Sequence, residues 1–156
     1  MYSLVVCQQL SDFNAAGVDG ILSVSPYYNK PTQEGIYQHY KALCDHTDLP
    51  IIVYNVPGRT SSNVLPETTL RLAELPRICA VKEASGNLEQ IMEIIQNAPE
   101  DFLVLSGDDA ITLPLLEAGG DGVISVVSNA YPQIFSDMVR YALEGDYNGA
   151  REAHYK

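Results

Sequence analysis

Residues 51–82 read Ile51-Ile52-Val53-Tyr54-Asn55-Val56-Pro57-Gly58-Arg59-Thr60, then a Ser/Asn-rich turn, Pro66-Glu67-Thr68-Thr69-Leu70-Arg71-Leu72-Ala73, and Ile78-Cys79-Ala80-Val81-Lys82. This is an apolar run of strand length, a polar loop, a segment opened by Pro66 and a second apolar run. Proline at a helix's first turn sacrifices no hydrogen bond, because that N–H has no partner inside the helix. Both apolar runs are rich in Val and Ile and nearly continuous, the pattern of strands buried on both faces. The stretch is therefore a strand–helix–strand unit, and a crossover through a helix makes its two strands parallel.

The same alternation extends in both directions. Upstream lie the run Gly20-Ile21-Leu22-Ser23-Val24-Ser25 and a helix over Thr32 to Cys44, with Ile36, Tyr40 and Leu43 at helical spacing. The opening MYSLVVCQQL also reads as a helix. Downstream, a helix from Asn87 to Gln96 has Asn87 as its cap and Leu88, Ile91, Ile94 and Ile95 on one face. The runs Phe102–Ser106 and Gly122–Val127 follow, separated by a helix over Ala110 to Ala118 that stops at Gly119-Gly120. Helices over Pro132 to Leu143 and from Tyr147 onward complete the pattern. It predicts a single parallel α/β domain over residues 1–156, either a barrel or a doubly wound sheet. The chemically distinctive residues all follow strands, in SPYYNKP, YNVPGRT, KEASGN, SGDD and SNAYP. Active sites sit at that edge in both architectures.

Composition narrows the function classes. With 46% hydrophobic and 19% charged residues the chain is globular rather than disordered. No apolar run approaches the roughly 20 residues of a membrane span. The start lacks a basic n-region and a small-residue cleavage site, so it is not read as a secretory signal. A net charge of -11 argues against nucleic acid as a partner. Three cysteines without a CxxC pair suit a reduced, cytoplasmic protein. His39, His46 and His154 show no metal-ligand spacing, and Asp108-Asp109 lacks the carboxylate cluster or phosphate loop of a magnesium site. Loop and helix-cap duty is expected of those two aspartates, and neither metal nor cofactor is expected. No G-x-G-x-x-G opens a helix and no G-x-S-x-G elbow is present.

Lys82 ends a buried run and shares its face with Ala80 and Ala84 by the period-two rule. Such a lysine is partly desolvated, which lowers its pKa and frees the neutral amine that attacks a carbonyl. Position alone fits a surface pair with Glu83 equally well. Tyr54 ends the preceding strand and points to the same layer, where a phenol can pass protons to a carbinolamine or enamine. Among 10 tyrosines a plain core or rim role is equally open. Arg59, on the loop after Tyr54, offers a guanidinium fork for a carboxylate, or is an ordinary exposed loop arginine.

Taken together, Tyr54-Asn55-Val56-Pro57-Gly58-Arg59-Thr60 and Val81-Lys82-Glu83-Ala84-Ser85-Gly86 resemble the dihydrodipicolinate synthase family. That family lies within the pyruvate-dependent class I aldolase and N-acetylneuraminate lyase superfamily. Ser25-Pro26-Tyr27-Tyr28-Asn29-Lys30-Pro31, Ser106-Gly107-Asp108-Asp109 and Gly122-Val123-Ile124-Ser125 match in the same order. The joint match runs from about Gly17 onward, and the residues before Phe13 match poorly. The resemblance implies a (β/α)₈ barrel and a lyase condensing pyruvate with aspartate 4-semialdehyde in diaminopimelate and lysine biosynthesis. Lys82 would form the Schiff base, so no separate cofactor is needed, and Tyr54 would relay protons. Arg59 would hold the second substrate's carboxylate. Tyr28 would reach across a dimer interface, and Gly107 and the backbone of Ile124 would line the pyruvate pocket. A homotetramer built as a dimer of dimers is the implied assembly. Arg59 in its Gly-Arg-Thr setting favours the synthase over an N-acetylneuraminate lyase or a 2-keto-3-deoxy sugar acid aldolase.

Relative to the family pattern, three leading βα units and trailing helices are missing, so the chain is expected to be a fragment with about five of eight barrel strands. The family's Thr-Thr pair is missing with them, since Thr68-Thr69 falls inside a helix. A catalytically incompetent fragment is the reading from a different class.

Overall fold

The computed structural model describes residues 2–156. Five strands, β1 (Ile21–Val24), β2 (Ile51–Asn55), β3 (Ile78–Glu83), β4 (Leu103–Ser106) and β5 (Gly122–Val123), form one sheet in the order β1-β2-β3-β4-β5. Every neighbouring pair is parallel. Sequential order without a reversal excludes the doubly wound alternative, which needs a switch point, and leaves an arc of a (β/α) barrel.

The helices are α1 (Tyr2–Ala16), α2 (Gln33–Cys44), α3 (Pro57–Thr60), α4 (Pro66–Ala73), α5 (Leu88–Asn97), α6 (Thr112–Glu117), α7 (Pro132–Leu143) and α8 (Tyr147–His154). Their starts have local causes. Thr32 Oγ1 accepts from Gly35 N at 3.1 Å and Asn87 Oδ1 from Gln90 N at 3.2 Å, while proline occupies the first turn of α4 and α7. Neighbouring helices pack side by side and cover one face of the sheet.

The core lies between that face and the helices. Ile51, Val53, Val81 and Val104 meet Ile36, Tyr40 and Leu43 of α2, Leu72 of α4, and Ile91 and Ile94 of α5. Tyr40 buries its ring fully and donates from Oη to Ser23 O at 2.8 Å, so its polar end is also satisfied. The opposite face carries Leu22, Ile52, Tyr54, Ala80, Lys82, Leu103 and Leu105. Leu22 and Leu103 are nearly half exposed there. α7 and α8 add a second cluster around Met138, Ala142, Ala150 and Ala153.

Two elements differ from the sequence reading. The run Gly122–Val127 pairs only through Val123, with Ile124 N still donating to Ser106 O at 3.0 Å. Beyond it Val126 N and Val127 N both donate to the Asp109 carboxylate, at 3.1 Å to Oδ2, which turns the chain into a 3₁₀ turn over Val127–Asn129. An acidic side chain reaching across from the previous strand's loop thus ends an otherwise strand-like segment. The loop after Tyr54 instead forms the single helical turn α3, closed by Ser61 in the left-handed conformation. No helix among the described residues is long and apolar enough to cross a membrane.

Candidate active site

The site follows from register. Tyr54 pairs with Lys82, and Lys82 with Leu105, so a phenol and an amine sit side by side at the strand ends. The Lys82 Nζ lies 4.3 Å from the centroid of the Tyr54 ring. Lys82 is only 8% exposed. Burial pushes its pKa below the ordinary lysine value, and the negative charge of Asp109 pulls it partly back. Gly107 closes the other side. A Cβ there would fall 2.9 Å from Lys82 Cε and 2.9 Å from Ala84 Cβ, so only glycine leaves room for the lysine's methylenes.

The surface pair with Glu83 does not form. Glu83 is fully buried on the opposite face of β3, beneath the helices, where Asn55, Gln90 and the Ser85 amide hold its carboxylate. Alternation along a strand makes this unavoidable: residues 82 and 83 cannot share a face.

A cavity of about 950 Å³ opens over the strand ends. Tyr54 and Gly107, the two neighbours of Lys82, line it together with Arg59, Ala84, Asp108 and Asp109, and Ile134, Phe135 and Met138 of α7 supply an apolar wall. Arg59 is exposed on α3 and is not engaged in an ion pair among the described residues. Its guanidinium is therefore available to an incoming carboxylate.

Three of the residues singled out from the sequence, Lys82, Tyr28 and Ile124, are not among those that line this cavity; Lys82 adjoins it through Tyr54 and Gly107. Tyr28 is 91% exposed, sits in the left-handed region at φ 69°, and is not among the lining residues. Ile124 is half-buried next to β5, where its N–H continues the strand ladder by donating to Ser106 O, and it is not among the lining residues. Asp108 caps the 3₁₀ turn Asp109–Ile111 by accepting from Ala110 N at 3.0 Å, the duty expected of it. Sequence reasoning missed the charge of Asp109 beside Lys82 and the buried partners of Glu83. Nothing local signals the first. The second is signalled faintly by an acidic residue at an apolar-face position of a strand. No group of three or more His, Cys, Asp and Glu side chains among the described residues could hold a metal ion.

A family model described as the dihydrodipicolinate synthetase family matches residues 6–156. The match starts well before Gly17, so the first helix belongs to the same pattern more fully than its residues suggested. The 4-hydroxy-tetrahydrodipicolinate synthase of Parabacteroides distasonis is 59% identical over 151 residues, covering 96% of this chain and 51% of that protein. The enzyme of the same name from Phocaeicola vulgatus is 55% identical, covering 97% of this chain and 51% of its own length. Among solved structures, dihydrodipicolinate synthase from Thermotoga maritima superposes with a TM-score of 0.95 at 46% identity, covering 98% of this chain and 53% of that one. The Aquifex aeolicus enzyme gives 0.95 at 44% identity, with the same coverage. The chain spans about half the length of the curated relatives it matches.

Proposed function

Because the chain belongs to the dihydrodipicolinate synthetase family, we propose that its strand-end site performs imine chemistry on pyruvate, as part of a 4-hydroxy-tetrahydrodipicolinate synthase. The neutral amine of Lys82 attacks the ketone carbon of pyruvate to give a carbinolamine. Loss of water then leaves the imine. The Tyr54 hydroxyl, carried on the ring that packs against the amine, supplies the proton that lets hydroxide depart as water and accepts one back. Loss of a proton from the pyruvate methyl gives the enamine, a carbon nucleophile for the aldehyde of aspartate 4-semialdehyde. Arg59, free on the cavity rim, takes that substrate's carboxylate in a bidentate grip. Gly107 and the backbone at Ile124 bound the space for pyruvate.

The observation that carries this reading is the packing of Lys82. Its Nζ is 4.3 Å from the Tyr54 ring centroid, and Gly107, which lines the 950 Å³ cavity together with Tyr54, gives its stem room. An amine so placed is unprotonated at lower pH than an ordinary lysine, which is what carbonyl attack requires. We place the protein in the cytoplasm as a homotetramer in which the exposed ring of Tyr28 reaches a second copy's site. The three cysteines are free, which suits a reducing compartment.

Incubation with pyruvate and borohydride, followed by intact mass and peptide mapping, tests the chemistry. A reduced pyruvyl adduct is expected on Lys82 and disappears in Lys82→Met. An adduct on Lys30, Lys41 or Lys156 instead refutes the assignment.

A further inference from the structure

Beneath the site, on the helix side of the sheet, lies a second polar cluster that the chemistry just described does not use. Glu83 is its centre and is fully buried. Four hydrogen bonds converge on its carboxylate. Asn55 donates from Nδ2 to Oε1 at 3.2 Å and to Oε2 at 3.1 Å, Gln90 Nε2 donates to Oε2 at 3.1 Å, and Ser85 N donates to Oε1 at 2.7 Å. The partners are tied to each other as well. Asn55 Nδ2 also reaches Asn63 Oδ1 at 2.9 Å, Asn63 Nδ2 donates to Gln90 Oε1 at 2.8 Å, and Val64 N donates to Asn55 Oδ1 at 3.0 Å.

Each partner adjoins a piece of the site. Asn55 follows Tyr54 on β2, Glu83 follows Lys82 on β3, and Asn63 and Val64 close the segment after Arg59. Ser85 follows Ala84, the residue against which Gly107 packs. Backbone bonds from Ala84 N to Asn55 O and from Gly107 N to Glu83 O, both 2.8 Å, join the same three strand ends.

We propose that Glu83 is the positioning residue of the site: its carboxylate fixes the ends of β2 and β3 and the segment after Arg59, and so holds Lys82 between Tyr54 and Gly107. All of its contacts come from N–H donors, and no cation among the described residues pairs with it. An acceptor on every side is what this cluster needs. An amide in its place would turn an NH₂ toward at least one donor. Asn55 cannot relieve that clash by rotating its amide, because its Oδ1 already accepts from Val64 N. Burial pushes the Glu83 pKa up, while the hydrogen bonds from Asn55, Ser85 and Gln90 offset part of that cost.

The inference rests on the reading of Lys82 as the reacting amine, so its test avoids pyruvate. Trace labelling of the whole chain with acetic anhydride across a pH series, mapped by mass spectrometry, gives a titration midpoint for each lysine. Lys82 faces Tyr54 and Asp109, and its midpoint is set chiefly by burial. Glu83→Gln loosens the strand end and lets water in. The Lys82 midpoint is then expected to rise by about half a pH unit or more, while that of Lys41, exposed on α2, stays fixed. Moving the acid across the pair, as Asn55→Asp with Glu83→Gln, restores donor–acceptor complementarity and should bring the midpoint back toward the parent value. Should Glu83→Gln fail to fold, Gln90→Met removes a single donor from α5 and should shift the midpoint in the same direction by less. A lower melting temperature with an unmoved Lys82 midpoint, in whichever variant folds, overturns the proposal. That result leaves imine formation on Lys82 intact, whereas failure to trap pyruvate would sink the functional reading and leave the midpoint shift standing.

Discussion

Gly107→Ala puts the packing around Lys82 under direct strain. The added Cβ would lie 2.9 Å from Lys82 Cε, 3.0 Å from Lys82 Cγ and 2.9 Å from Ala84 Cβ. Carbon atoms rest at about 3.5–4.0 Å, so each contact is too close by about half an ångström or more. Gly107 does not occupy the left-handed region, so alanine suffers no backbone penalty and the effect reports the contact alone. Ala84 is pinned by its amide bond to Asn55 O, and the Tyr54 ring stands on the other side of the lysine. Overpacking of this kind costs about 1–3 kcal/mol. If Lys82 leaves its place to relieve it, the reactive arrangement is depopulated by that energy. Imine trapping by pyruvate and borohydride should then slow by about fivefold to a hundredfold. Thermal unfolding measured alongside shows how much of the strain the fold absorbs instead. A variant with both the parental trapping rate and the parental melting temperature would show that Lys82 is not packed against Gly107 as described.

Three further outcomes follow from the same geometry. Tyr54→Phe keeps the ring against Lys82 but removes the hydroxyl, so imine trapping with pyruvate and borohydride should slow by about a hundredfold or more; an unchanged trapping rate would remove Tyr54 from the relay. Arg59→Ala should weaken use of aspartate 4-semialdehyde by about 1.5–3 kcal/mol and leave pyruvate trapping nearly unchanged, and equal loss of both steps would count against a carboxylate role. His39, buried on α2 with Nδ1 2.8 Å from Ser3 Oγ, has its pKa pushed down to about 4 by burial. The folded ring stays neutral while the unfolded one takes up a proton below about pH 6.5, so stability is lost as pH falls from there toward 4, by up to about 3 kcal/mol. Melting curves of His39→Gln should lack that part of the slope, and identical pH profiles for the two proteins would show the ring is not held neutral.

Much of this was readable from residue order because the relevant rules are local. Strands buried on both faces announce themselves as Val- and Ile-rich runs, and the prolines at 66 and 132 mark the starts of two helices. Alternation alone leaves barrel and doubly wound sheet open, since both produce it; the motif resemblance points to the barrel, and the sequential strand order bears that out. The end of β5 was hidden for a similar reason. Val126 and Val127 look like strand residues until the Asp109 carboxylate, 17 residues earlier, claims their amides. In the site, period-two alternation placed Lys82 and Tyr54 on one layer, and register then made them neighbours. The role of Gly107 emerged only as a distance to a side chain on the adjacent strand.

The contrast between Lys82 and Glu83 shows why an adjacent pair can carry opposite duties. One lies between Tyr54 and Gly107 and is held by packing, with its charge disfavoured by burial. The other faces the helices and is held by four hydrogen bonds from three donor groups, which offset part of the cost of burying its charge. A slip of β3 by one residue would exchange them, turning the amine into the helix layer and the carboxylate into the cavity. Neither environment would accept the newcomer: the donors around Glu83 would confront an ammonium, and the space between Tyr54 and Gly107 would hold an acid. The two residues therefore fix each other's face, and on the proposed reading the polar cluster behind the sheet keeps Lys82 in front of it.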